Sequence, residues 1–247
     1  NISRKKDFVE IRSIGKAVEV NGKPYPEISN YVNNAFVETP NKRITASLRA
    51  ISKTRHCKGD NFTYKCSDAV LDLDFNLINT NRFSLNPKVN LQSLSGRYQG
   101  TSFGEGISLG FKSATFVSDK RSLAIGGENI IHLDNTIDLG RNFYILSSSY
   151  YPLNKRETPS ILFITAGIGS DFYGYKGNGY IARTSCLGKP NLTGDGSFEC
   201  NWGPIGSVSI AFNDRISFNN EWFGYGYGSG LSIRPFKYNS LNLSIYA

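Results

Sequence analysis

The chain has 247 residues and a formal net charge of +8, and 39% of its residues are hydrophobic. This length fits one large all-β domain or two small ones, and the 25 Gly, 14 Tyr and 16 Phe residues favour strands joined by turns. The hydrophobic share is low for a core with two fully apolar layers. The positive charge would suit nucleic acid, anionic lipid or an anionic solute. We expect no nucleic-acid partner, because no recognition helix or RNA-binding signature accompanies the scattered cations.

Residues 1–43 are predicted to form an N-terminal extension ahead of a β-barrel domain at 44–247. The extension begins with a basic run at 4–6, contains Pro24, Pro26 and Pro40, and has weak periodicity. It could act as a plug, a periplasmic arm or a partner-binding segment. The chain contains no Met, which indicates that an N-terminal piece has been removed. A cleaved signal peptide is one explanation, and a shortened chain is the other.

The four cysteines fall into two local pairs, Cys57 with Cys66 and Cys186 with Cys200, and each pair flanks a polar stretch. Neither pair has the short Cys-x-x-Cys spacing of zinc or redox sites, and two His residues are too few to complete a metal site at both. We therefore predict two loop-closing disulfides, with free thiols as the alternative, and no metal or cofactor. Disulfides would place the chain in an oxidising compartment such as a periplasm or cell exterior.

The first strong strand signal is the alternation of apolar and polar residues from position 71. Leu71, Leu73, Phe75 and Leu77 alternate with Asp72, Asp74 and Asn76, which predicts a strand with one apolar and one polar face. Because two acids share one face, that face cannot be buried in a dry apolar core.

The same alternation recurs at 88–92, 107–112, 231–234 and 241–245, with Lys88, Lys112 and Arg234 on the polar face. In a water-soluble sandwich the apolar face would point inward, whereas in a membrane barrel it would contact lipid and the polar face would line the lumen. Alternation alone does not distinguish the two.

Three features favour the membrane barrel. Predicted strands at 105–117, 121–132, 136–150 and 159–173 exceed the usual five or six residues, and about ten tilted residues cross a bilayer. Aromatic residues crowd near the strand ends, as in the girdles of such barrels; they are Tyr150, Tyr151, Phe172, Tyr173, Tyr175, Phe223, Tyr225, Tyr227, Phe236 and Tyr238. Connections alternate between tight turns, as at 79–82 and 118–121, and longer loops such as 174–204, which places both cysteine loops on the same rim.

The count gives about eleven strands between 44 and 247, whereas bacterial single-chain barrels use an even number. Either residues 8–20 supply one more strand, or a last strand is absent. We therefore predict an antiparallel, up-and-down transmembrane β-barrel of about 12 strands.

Residues 213–235, NDRISFNNEWFGYGYGSGLSIRP, resemble a recurrent hairpin of bacterial, especially cyanobacterial, outer-membrane-type barrel proteins. In that pattern a turn is followed by a short strand ending in Glu-Trp, here Glu221 and Trp222, and a Gly-containing link leads to a strand closing with Arg-Pro, here Arg234 and Pro235. The segment 105–131 is similar in style to their Gly-rich strands. The resemblance covers about a third of the chain; it implies an outer-membrane location and a barrel fold but no active site.

No enzyme active site is predicted. The glycine run at 224–230 lacks the Gly-Lys-Ser/Thr ending of a phosphate loop, and no helix pattern follows it; its glycines are expected to make room for aromatic neighbours or a bend. There is no Gly-x-Ser-x-Gly elbow for a hydrolase. A pair formed by His132 and Asp134 is expected to be part of a solvated turn rather than an acid–base pair.

The polar face supplies the candidate site. Asp72, Asp74, Lys88, Lys112 and Arg234 are predicted to line the lumen as a mixed-charge network, which suits either a filled interior or a weakly selective pore. We expect an outer-membrane barrel that passes small solutes or serves as a structural envelope component. Its partners would be membrane lipid and, as possibilities, a second copy or other envelope proteins. The alternative is a secreted or cell-surface β-sandwich adhesin that binds glycans or proteins.

Overall fold

The computed structural model of the chain describes residues 9–51, 68–94, 105–133, 141–170, 182–185, 199–224, 226–236 and 241–246. These residues form β-strands, turns and loops, and every strand pair is antiparallel. The prediction of an all-β, antiparallel chain is therefore confirmed. Within the described ranges no helix is long and apolar enough to cross a membrane.

The N-terminal segment, residues 9–43, contains a small sheet of β1 (Ile11–Ile14), β2 (Ala17–Val20) and β3 (Lys23–Glu27) in that order. Asn21 and Gly22 connect β2 to β3 with φ angles of 50° and 78°, which is the backbone that a two-residue hairpin of the Asn-Gly type requires. The weak periodicity of residues 1–43 gave no indication of this sheet, because its strands have only four or five residues. The proposal that residues 8–20 add a strand to the main sheet is wrong, since β1 and β2 pair with each other instead.

All the other strands in the described ranges belong to one large sheet. They are β4 (Ile44–Ile51), β5 (Asp68–Phe75), β6 (Ile78–Asn79), β7 (Phe83–Ser93), β8 (Glu105–Ser118), β9 (Arg121–His132), β10 (Asn142–Pro152), β11 (Ile161–Ser170), β12 (Ala182–Ser185), β13 (Glu199–Ala211), β14 (Ile216–Trp222), β15 (Tyr227–Ile233) and β16 (Leu243–Tyr246). Eleven of them follow one another as sheet neighbours, in the order β4-β5-β7-β8-β9-β10-β11-β13-β14-β15-β16, while β6 pairs with β7 and β12 with β13.

The predicted strand positions agree with this sheet in most places. The tight turn at 118–121 joins β8 to β9, and residues 213–235 contain the hairpin of β14 and β15. The loop predicted at 174–204 is partly wrong, because β12 and the first residues of β13 lie within it. Those residues, ARTS and ECNWGP, show no alternation of apolar and polar side chains that would mark them as strand.

The large sheet has an inverted burial pattern. Its polar side chains point toward the N-terminal segment and are buried, while many of its Leu, Ile, Val and Phe side chains point outward and are exposed. In the part of the chain that the structure describes, the apolar core consists of two clusters where the N-terminal segment meets β8 to β14. Ile11, Val18 and Phe36 contribute to the first cluster, and Val32 and Val37 to the second.

The large sheet curves around the N-terminal segment. Eleven strands laid flat would place β4 and β16 about 48 Å apart. However, Gly15 lies against Thr45 of β4, and the Glu27 carboxylate accepts a hydrogen bond from Ser244 of β16. Gly15 and Glu27 are themselves close, because Ala17 pairs with Glu27 in the small sheet. The two edge strands therefore reach the same short stretch of chain, although no ladder joins them in the described residues.

Candidate functional site

The candidate site is the interface between the N-terminal segment and the polar face of the large sheet. Residues 28–39 have no strand partners beyond one isolated bridge in the described part of the chain, so their backbone groups need other partners when buried. Serine hydroxyls of the large sheet supply several. Ser84 and Ser148 accept from the amides of Glu38 and Ala35 at 3.1 and 2.8 Å, and Ser209 donates to the Ile28 carbonyl.

Glu221 on β14 holds the centre of this segment. Its carboxylate accepts hydrogen bonds from three successive backbone amides, those of Asn30, Tyr31 and Val32, the last two at 2.8 and 3.1 Å. Three donors converging on one buried carboxylate satisfy its lone pairs and replace the water it has lost. Glu221 therefore fixes the position of residues 30–32 against the sheet.

Lys112 on β8 is a second anchor. Its ammonium group is buried and donates to three acceptors of the N-terminal segment, which matches its three N–H bonds. The acceptors are Glu38 Oε1 at 3.0 Å, Ser13 Oγ at 3.2 Å and Asn34 Oδ1 at 3.3 Å.

Lys88 on β7 is joined to both the sheet and the segment. Its Nζ lies 3.1 Å from Asp74 Oδ1 on β5 and 3.3 Å from Asn33 Oδ1. The Asn33 side chain also accepts from Lys16 at 2.8 Å and donates to Glu128 of β9 at 2.8 Å. One asparagine of the segment therefore links charged side chains from several elements.

Aromatic side chains complete the interface at β10 and β11. Phe36 makes edge contacts with Tyr150 and Phe163, with ring centroids 6.2 and 5.9 Å apart. Tyr25 donates to the Pro159 carbonyl at 3.1 Å, and burial raises the pKa of its phenol above the usual value. The hydroxyl therefore stays protonated, and able to donate, further into the alkaline pH range than an exposed phenol.

The five residues predicted to line a lumen are all buried on the face that contacts the N-terminal segment. The structure brings Asp72, Asp74, Lys88 and Lys112 onto the adjacent strands β5, β7 and β8, and it pairs Asp74 with Lys88. Arg234 lies elsewhere, at the end of β15, where its guanidinium donates to Asp214 Oδ2 at 3.1 Å.

The predicted disulfides lie outside the described residues: Cys57, Cys66 and Cys186 are not described, and of Cys200 only the backbone is.

The predicted aromatic girdle divides into two groups. Tyr151, Tyr227 and Phe236 are exposed near strand ends, whereas Tyr150 and Phe223 point inward and are buried. The remaining predicted girdle positions, Phe172, Tyr173, Tyr175, Tyr225 and Tyr238, lie outside the described residues.

From the sequence, Glu221 was named only as part of the Glu-Trp strand end and not as an anchor, and Glu38 and the asparagines of the segment were overlooked. Glu221 was detectable as a polar-face position, because it shares the alternation of Ser217 and Asn219 along β14. The contacts of Glu38 and Asn33 carry no such local signal.

The described residues contain no group of three His, Cys, Asp or Glu side chains that could hold a metal ion. His132 is half-buried at the end of β9, and Asp134 lies outside the described ranges. Comparison with protein-family models, curated proteins and solved structures finds no match to this chain.

Proposed function

We propose that the chain forms a membrane-spanning β-barrel whose lumen is occupied by its own N-terminal segment. In this state the barrel is closed to solutes and acts as a structural component of an outer membrane. The proposal includes no catalytic step and no cofactor.

The inverted burial pattern carries this proposal. Ile125 of β9 is 54% exposed, whereas Lys112 of the adjacent β8 is 2% exposed, the reverse of what water as the outer solvent favours. The exposed apolar side chains are also contiguous, since Phe218, Leu231 and Ile245 lie directly opposite one another on β14, β15 and β16. An apolar band of this kind is what lipid-facing strands present.

The length of the strands also supports a membrane environment. β8, β9, β10 and β13 have 14, 12, 11 and 13 residues, and about ten tilted residues suffice to cross the hydrocarbon core. The soluble-sandwich alternative would need the apolar face of the large sheet to pack on a second sheet. In the described residues the small sheet instead packs on the polar face, through contacts such as those of β3 with β14 and β15.

The N-terminal segment favours the structural role over an open pore. Its residues contact the polar face from β4 to β16, with buried anchors at Lys112 and Glu221. A barrel of about twelve strands has an interior between those of side-chain-filled barrels and open porins. An additional segment of some thirty residues is therefore a reasonable filling for it.

Closure of the barrel needs a further pairing. Eleven strands alternating in direction leave β4 and β16 pointing the same way. An antiparallel closure therefore requires one more strand that runs against both, which would also give the even number found in such barrels. A parallel ladder between β4 and β16 is the other geometry.

Cell fractionation tests the proposal. We expect the protein to sediment with membranes, to require detergent for extraction, and to migrate differently on gels before and after heating. A protein that remains in solution without detergent would exclude a membrane barrel. In planar bilayers the intact protein should give no current steps; steady unitary currents from the unmodified chain would instead favour a passive pore.

A further inference from the structure

Alternate connections of the large sheet lie along one rim. In an antiparallel meander, alternate connections fall at the same end of the strands. The connections at 76–82, 119–120, 153–160 and 212–215 therefore share a rim with residues 40–43, which lead from the N-terminal segment into β4. We call this end of the sheet the turn rim.

The turn rim carries a surplus of positive charge. Eight exposed cationic residues lie on it, and we call them together the basic rim: Lys42, Arg43, Arg82, Lys120, Arg121, Lys155, Arg156 and Arg215. The acids of the same connections are Asp119, Glu157 and Asp214. Two of these acids already contact other cations, because Glu157 lies 2.5 Å from Lys23 and Asp214 lies 3.1 Å from Arg234.

Each part of the basic rim adjoins the exposed apolar face. Arg43 precedes Ile44, Arg82 precedes Phe83, and Arg215 precedes Ile216, and each of these apolar side chains is exposed on the outside of the sheet. Leu123 and Leu153 are exposed as well, and each lies two residues from a cation, Arg121 and Lys155 respectively. Long cationic side chains at such a boundary keep their alkyl stems on apolar surface and their charges in the polar layer.

We propose that the basic rim binds the phosphate groups of anionic phospholipids in the membrane leaflet that it contacts. This inference rests on the proposed membrane barrel and specifies its lipid partner. The cations are distributed over successive connections around the sheet and each adjoins the apolar face, which fits a ring of separate headgroups. A nucleic acid would instead need a continuous stripe or patch of cations on one face.

Native mass spectrometry of the full-length protein tests the proposal. The detergent-solubilised protein is offered equal amounts of phosphatidylcholine and phosphatidylglycerol with the same acyl chains, and retained lipids are counted. We expect phosphatidylglycerol to be retained over phosphatidylcholine, and the preference to weaken as salt is added, because exposed charges are screened. In the R82Q/R121Q/R156Q/R215Q variant the preference should fall by up to about fivefold for each cation removed.

The R82K/R121K/R156K/R215K variant is the matched control, since it keeps every charge at the same positions. It should retain the lipid preference of the unmodified protein. Equal retention of the two lipids by the unmodified protein would overturn the basic-rim proposal and leave the membrane barrel intact. Undiminished preference in the glutamine variant, or binding of soluble polyphosphate without any preference between the lipids, would also overturn it. A protein that is soluble without detergent and retains neither lipid would mean that the barrel itself is wrong.

Discussion

Two ion pairs show that burial, rather than distance, determines how much an ion pair contributes to the stability of the fold. Lys23 and Glu157 approach to 2.5 Å, but their side chains are 45% and 88% exposed. Lys112 and Glu38 are 3.0 Å apart and only 2% and 8% exposed. Water and ions screen the first pair, so its contribution is at most about 1 kcal/mol. Removing one partner of the second leaves a buried charge without compensation, which costs several times more.

We therefore expect Lys112→Met to lower the free energy of unfolding by about 3–5 kcal/mol, because Glu38 loses its buried counter-charge. Lys23→Met should change it by less than about 1 kcal/mol. Urea unfolding of the detergent-solubilised protein measures both. The double variant E38Q/K112M should recover part of the loss, and equal effects of the two lysine substitutions would contradict the assignment of Lys112 as an anchor.

Glu221 gives a second test at the residue level. In Glu221→Gln the side-chain NH₂ group would face backbone amides that now donate to a carboxylate oxygen, so we expect a loss of about 2–3 kcal/mol. Limited proteolysis should also cut residues 28–39 sooner, because their attachment to β14 is weakened. Glu157→Gln is the control, since its carboxylate is exposed. An unchanged cleavage pattern in Glu221→Gln would argue against its anchoring role.

At the level of elements, the contact between β15 and β16 depends on a glycine. A Cβ atom at Gly230 would lie 2.1 Å from the Tyr246 ring and 2.3 Å from Asn219 Oδ1, so a side chain there collides with two neighbours. The Tyr246 hydroxyl in turn donates to the Ser29 carbonyl at 3.2 Å. The glycine thus allows an aromatic ring of the edge strand to reach across and contact the N-terminal segment.

Gly230→Ala should therefore destabilise the protein by about 1–3 kcal/mol, the usual cost of overfilling a packed site. The expected cause is displacement of Tyr246, so the cost should shrink when Tyr246 is already Ala. A double-mutant cycle in urea unfolding measures this coupling. Additive effects of the two substitutions would mean that the cost of Gly230→Ala does not come from Tyr246 and arises at another neighbour, such as the Asn219 side chain.

At the level of the whole molecule, the proposed function depends on whether lipid or water contacts the exposed apolar face of the large sheet. Ile125 and Val117 are 54% and 56% exposed. If the outer solvent were water, a substitution by lysine at either position would therefore hardly change the free energy of unfolding. Val117 lies two residues before the turn at 119–120, whereas Ile125 lies about 13 Å further along the neighbouring strand. In a bilayer the two positions differ in depth.

We expect Ile125→Lys to cost about 2–4 kcal/mol in lipid and Val117→Lys at most about 1 kcal/mol, since the penalty for a lipid-facing lysine falls toward the interface. Reversible urea unfolding in lipid vesicles measures the difference. Two small and equal effects would show that the apolar face meets water, and would remove the main support for the membrane barrel.

Much of the large sheet was predictable from sequence because a period of two is a local property. The alternation at 71–77 and at 107–112 placed the strands β5 and β8 and their polar faces, although β5 ends at Phe75, two residues before Leu77. The N-terminal segment was not predictable, because its contacts join distant positions, such as Ala35 with Ser148. Among its features only the Asn21–Gly22 turn had a local signature. The sequence therefore indicated which side chains share the polar face, but not that residues 9–43 would cover them.

The contact between Glu27 and Ser244 spans 217 positions of the chain, and this has a consequence for the order of folding. Residues 27–38 are synthesised early, yet the hydroxyls and the carboxylate that form hydrogen bonds with their backbone groups include those on β13 to β16. Until those late strands exist, that stretch must remain hydrated or be held by a chaperone. Because such long-range contacts form slowly, docking of the earliest residues should be among the last steps of maturation.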